Sequence, residues 1–114
     1  MSRHLPDDPR ELVDRIDPEM MPRVAAFLAG YLHEDWTLDY GSPAEAMYEH
    51  LREADWDDVE ELAAEWAVIE VASRTMPLEE LAELFHSRFR AAWRPISRSE
   101  IEKISAELER ALAE

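Results

Sequence analysis

The chain has no cysteine, only two glycines (Gly30 and Gly41) and a single lysine, Lys103. Without cysteine there can be no disulfide framework and no thiolate metal site, which fits a reducing cytosol. No glycine-rich phosphate loop is present, and no serine sits in an elbow motif. Long apolar runs are missing too. The longest stretch without a charge runs from Val24 to Leu32, far short of the ~20 apolar residues that cross a bilayer. The opening MSRHLPDDPRELVDRID mixes charges and prolines and shows no apolar h-region of a secretory signal. The expectation is a soluble, cytoplasmic protein with no membrane partner.

Positive charge is scarce: 27 acids face 12 bases, a net charge of −15. Direct nucleic-acid binding draws most of its affinity from Lys and Arg on phosphates, so this balance disfavours it and favours a basic partner. What is plentiful is apolar material. Hydrophobic residues make up 46% of the 114 residues, four of them tryptophan. That is enough for one domain, 1–114, burying roughly two-thirds of its unfolded surface without staples.

Strict apolar–polar alternation does not appear over any useful length, so no strands are expected. The spacing predicts an all-α, compact bundle of about five helices. In the first, Met20, Val24, Phe27, Leu28 and Tyr31 share a stripe, with Pro22 tolerable only near the start. The second opens on a capping box, Ser42 to Glu45, with Pro43 at the first helical position, and shows Ala44, Met47, Tyr48 and Leu51 on one face. Asp55 or Asp57 could cap the third, where Val59, Leu62, Ala63, Trp66 and Ile69 line up and WAVIEVA is apolar nearly all round. The fourth starts at Pro77, carries Leu78, Leu81, Ala82, Phe85, Phe89 and Trp93, and is broken by Pro95. A second box, Ser97 to Glu100, begins the fifth, with Ile101, Ile104, Leu108 and Leu112 as its stripe. PRELVDRID reads as a short helical turn before them all.

The acids are unevenly placed. Residues 34–70 hold thirteen acids and one base, Arg52, for a net −12. On a helical wheel Asp57, Asp58, Glu61 and Glu65 fall opposite Val59, Leu62 and Trp66. Like charges at these spacings oppose the fold by a few tenths of a kcal/mol per pair, roughly. The face is either a solvated surface serving solubility or a landing surface for a basic partner. Residues 87–98, with Arg88, Arg90, Arg94 and Arg98 and no acid, could pair with it internally or form a second contact zone.

The stretch YLHEDWTLDYGSPAEA gathers His33, Glu34, Asp35 and Asp39 beside Trp36 and Tyr40. These are metal-donor types, but the HExxH spacing is absent and His4, His50 and His86 lie alone on other segments. No metal site, cofactor or catalytic residue is assigned. Glu70 interrupts WAVIEVA, and is read as an i,i+4 partner of Arg74 or a carboxylate reaching out of the core, with a buried, partly protonated carboxyl as the sharper alternative. Trp66 and Trp93 read as core. Trp36 and Tyr40 either plug the end of the core or anchor a partner, and the plug is favoured.

The run FLAGYLHEDWTLDYGSPAEAMYEHLREA resembles the signature of contact-dependent growth inhibition immunity proteins. Tyr31, His33, Asp35, Trp36, Asp39, Tyr40, Gly41, Ser42, Pro43 and Ala46 carry the likeness in order, and beyond Pro77 it fades. The resemblance implies a small cytosolic protein that binds and neutralises one cognate toxin domain, often a nuclease. A signature shared by a family whose partners differ from pair to pair is scaffold rather than contact. His33, Asp35, Trp36, Tyr40, Gly41 and Ser42 are therefore expected to build a corner: Trp36 and Tyr40 closing the core, Gly41 permitting the turn, Ser42 capping, His33 and Asp35 tying the loop. Partner contact is expected at Asp57, Asp58, Glu61 and Glu65. Rival readings are an acidic adaptor or nucleic-acid mimic, a small hydrolase, and a plain oligomerisation module; monomer and specific dimer both remain open.

Overall fold

A computed structural model describes residues 9–113; His4 lies outside them. The fold is all-α, as expected from the spacing. Five helices of ten residues or more are α2 (Pro22–Tyr31), α4 (Pro43–Glu53), α5 (Trp56–Thr75), α6 (Leu78–Phe89) and α7 (Arg98–Ala113). Two short ones complete the described chain: α1 (Pro9–Arg15), where a helical turn was expected, and α3 (Trp36–Asp39), inside the corner. No helix among the described residues is long and apolar enough to cross a membrane. The radius of gyration, 13.2 Å, is that of a close-packed domain of this length.

Helix α5 is the axis of the bundle. It runs 20 residues without glycine or proline, follows Asp55, which holds the cap position without a side-chain cap bond, and stops before Pro77, whose ring disfavours helical backbone just ahead of it. Asp57 and Asp58 lie in its first turn and Arg74 in its last, each on the side the helix dipole favours. It packs against α1, α2, α6 and α7. That explains why Val68, Ile69, Ala72 and Ser73 are buried along with Val59, Leu62 and Trp66: the second half of α5 has neighbours on several sides. Trp66 is fully buried, and its indole N–H donates to Ser105 Oγ on α7 at 3.1 Å. Ser105 in turn donates to the Ile101 carbonyl at 3.0 Å, so the polar end of the ring is satisfied without water.

Several sequence expectations shift in detail. Met20 is 58% exposed because it lies in the turn before α2, ahead of Pro22. Tyr48 is 45% exposed. The inward face of α4 is set by Pro43, Ala46 and Met47, one position round from the expected stripe, and Tyr48 instead lies under the guanidinium of Arg110, 5.6 Å from its ring centre. Helix α6 ends at Phe89, well before Pro95. Arg90 takes a left-handed conformation (φ 55°, ψ 32°) and its N–H returns to the Phe85 carbonyl, as does that of Ala91 at 3.1 Å. Trp93 is therefore outside the helix yet buried, stacked on Phe85 at 5.5 Å.

Candidate partner-binding surface

Helix α2 begins with no local cap. Met21 occupies the cap position and has no side-chain bond to offer, and Pro22 follows. The next two N–H groups, of Arg23 and Val24, are both received by Glu65 Oε1 at 2.9 Å. A carboxylate from the middle of α5 thus caps α2 across the bundle, at the helix end whose dipole favours an anion. The side chain of Arg23 then turns onto the same helix, with Nη1 2.9 Å from Asp58 and Nε 2.8 Å from Glu61. Three of the four acids expected to meet a partner therefore also meet α2. The fourth, Asp57, is exposed and lines an open cleft with Glu60, Glu61 and Ala64.

Burial raises the Glu65 carboxyl above its ordinary 4.5, outweighing the two backbone N–H groups and Arg23, which pull it down. Glu70, the acid singled out in the sequence, is half-buried and lines a cleft of about 210 Å³ with Arg74 and Ser105. The carboxylate drawn into the structure is Glu65. One sequence signal pointed there: a helix that opens on Met–Pro has no capping side chain of its own and needs one from elsewhere.

The arginine-rich segment does not pair with these acids. Arg88 donates to the carbonyls of Val13 and, at 3.0 Å, Ile16, closing the end of α1. Arg98 Nε reaches the Ser73 carbonyl at 2.6 Å, near the end of α5. Arg94 lies 3.7 Å from Glu83 on α6. Cations at helix C-termini oppose the negative end of the dipole, so much of this segment's charge is used locally.

In the corner, Ser42 Oγ accepts from the Glu45 N–H at 3.1 Å, and Glu45 Oε2 accepts from the Gly41 N–H at 2.8 Å. Gly41 does not have positive φ. A Cβ there would stand 2.8 Å from Glu45 Oε2, so what the glycine provides is room for that carboxylate. His33 Nδ1 accepts from the Asp35 N–H at 3.1 Å, and its Nε2 lies 3.8 Å from Asp39. Asp35 occupies the cap position of α3 without a side-chain cap bond. Trp36 and Tyr40 are half-buried against the core.

Behind the corner, α2 and α4 enclose a row of rings. Tyr31 is 5.9 Å from Phe27, 5.8 Å from Tyr40 and 4.9 Å, edge-on, from His50. Burial pushes His50 below its ordinary 6.5, against the upward pull of Asp58 and Glu53. Burial also raises the Tyr31 and Tyr40 hydroxyls. Trp56, at the start of α5, leaves half of its surface exposed (50%). It extends the Val59–Leu62–Trp66 stripe backward by one turn, past the point where the core ends. No group of three or more His, Asp or Glu side chains with metal-binding geometry occurs among the described residues.

The family model for the CdiI immunity protein matches residues 20–108. The chain belongs to that family. No curated protein and no solved structure matches it. The matched span runs from the turn before α2 to the last buried residue of α7, Leu108, so it takes in the α2–α5 seam, the corner and the aromatic row.

Proposed function

We propose that this CdiI-family chain binds and neutralises a cognate contact-dependent growth inhibition toxin domain, a basic nuclease, by stoichiometric protein–protein association in the cytoplasm. It acts by occupancy, without catalysis and without a cofactor. The observation that carries the reading is the family match over residues 20–108, and the charge distribution supports it. Of the net −15, −12 arises between residues 34 and 70, most of it on α3 to α5. A nuclease attracts phosphate with a basic surface, and an acidic inhibitor competes for that surface.

Asp57, Asp58, Glu61 and Glu65 form the contact face in this reading, with unequal parts. Asp57 and Glu61 are exposed, Glu61 while also holding Arg23; Trp56, half-exposed at the start of the same helix, is an aromatic of the type that anchors interfaces. Asp58 is shared with Arg23. Glu65 supports the face from behind by holding the start of α2. The test is protection. Cells producing the cognate toxin domain should survive when the chain is co-produced and die when it is not. Death in both cases, with the chain present as folded protein, would overturn the assignment.

A further inference from the structure

We propose that the groove between α2 and α4 receives an arginine side chain of the toxin partner, with Glu53 as its carboxylate and the rings of Tyr31 and His50 as its wall. The inference rests on the toxin-binding reading above and adds a contact site away from the outward acids of α5.

Two clefts of about 310 Å³ each adjoin along α4 and share two residues, Tyr31 and Glu53. One continues to His50, Asp58 and Arg23, whose guanidinium is already held by Asp58 and Glu61, and the other to Tyr40 and Glu49. The wall is preassembled: Tyr31 is held between Phe27, Tyr40 and His50 at ring distances of 4.9 to 5.9 Å. A partner therefore meets aromatic surface that has already lost its freedom to rotate. His50, held below 6.5 by burial, is neutral at pH 7 and does not offset the carboxylates around it.

Glu53 is the residue that the fold itself does not explain. It is the last residue of α4, where the helix dipole disfavours an anion. The neighbouring acids are engaged: Glu49 with Arg52 at 3.1 Å, Asp58 with Arg23 at 2.9 Å, and Glu45 with the Gly41 N–H. Glu53 makes no ion pair among the described residues: Arg23, the base that lines its cleft, is turned to Asp58 and Glu61. An exposed carboxylate at this end of a helix, beside an aromatic wall, costs stability unless a cation neutralises it. A cation brought by the partner supplies the missing counter-charge. Arginine fits this setting better than lysine. Its guanidinium is planar and weakly hydrated, so it stacks on a ring while its N–H fork meets a carboxylate, which a strongly hydrated ammonium does not do.

The experiment is a titration of the full chain with the cognate toxin domain, comparing wild type, Glu53→Gln and Glu109→Gln. The last removes the same charge from an exposed position on α7. Glu53→Gln should lower affinity about tenfold or more, and Glu109→Gln less than about twofold. The melting temperature of Glu53→Gln should be unchanged or slightly raised, which separates loss of contact from loss of fold. Arg→Lys substitutions across the toxin surface should then reveal one arginine whose replacement has little further effect in the Glu53→Gln background. Wild-type binding with Glu53→Gln indistinguishable from Glu109→Gln would overturn the groove and leave the toxin-binding reading standing. Equal coupling of Glu53 to many toxin bases would overturn the arginine assignment. Absence of wild-type binding would overturn the toxin-binding reading, and the groove with it.

Discussion

Helix α2 meets acid at both ends, with opposite consequences. At its start, Glu65 accepts two backbone N–H groups and Arg23 reaches Asp58 and Glu61. At its end, Tyr31 shares two clefts with Glu53, which makes no ion pair among the described residues because Arg23 is turned to Asp58 and Glu61. At the first end Glu65 is bound into the architecture, with Asp58 and Glu61 tied to it more loosely through exposed ion pairs; at the second, Glu53 stands at the surface without an ion pair. Counting acids would treat the two alike. Their partners show that an acidic protein divides its carboxylates between internal capping and outward display.

The largest effect on stability is expected where the carboxylate is built in. Glu65→Ala leaves two N–H groups at the start of α2 without an acceptor. Both are part-buried, so water recovers some of the loss, and the expected cost is about 1–2 kcal/mol in chemical denaturation. A cost near zero would mean that water caps α2 equally well. Glu65→Gln retains an acceptor and should cost less, while changing the pH dependence. Because the folded carboxyl titrates above its ordinary 4.5, the native state holds the extra proton just above that value. Stability from this group therefore falls as pH rises through the folded pKa, and the glutamine variant should lack that fall.

His50 makes the opposite contribution. Its folded pKa lies below 6.5, so below that value the unfolded chain binds the proton more readily. The stability it contributes is complete above pH 6.5 and is lost as pH falls toward the folded value. His50→Leu should flatten the melting profile across that window; an unchanged profile would show that another group governs it. Smaller again is Arg23→Met, which removes two exposed ion pairs. Its melting temperature should drop only slightly, and the difference from wild type should shrink as salt is added. Smallest is Glu53→Gln, where relief at the C-terminus of α4 should leave stability equal or marginally higher.

Much of this organisation was legible in the sequence wherever it depends on neighbours along the chain. The helical stripes of Val24–Phe27–Leu28, Leu62–Trp66–Ile69 and Ile101–Ile104–Leu108 are buried. The Ser42–Glu45 cap forms as its spacing predicts. At the second box only one half forms: Glu100 Oε2 accepts from the Ser97 N–H at 3.2 Å, while the Ser97 hydroxyl turns to Ser99. Periodicity could not reveal links made across the bundle. Glu65 looked like one more surface acid because its partners lie 41 and 42 residues away. Arg88 looked like part of a basic patch because the α1 carbonyls it binds are more distant still. The end of α6 was misplaced for a local reason: the left-handed turn at Arg90 uses a residue type that gives no warning of it, where glycine would have done so.

Recognition through the acidic surface is tested most directly by calorimetric titration with the toxin domain at low and high salt, using wild type and the Asp57→Lys/Glu61→Lys variant, which breaks the exposed Arg23–Glu61 pair but leaves the Glu65 cap in place. The expected result is tight one-to-one binding that weakens steeply with salt and is lost in the variant. Tight binding that neither salt nor the reversal affects would contradict the acidic surface as the means of recognition.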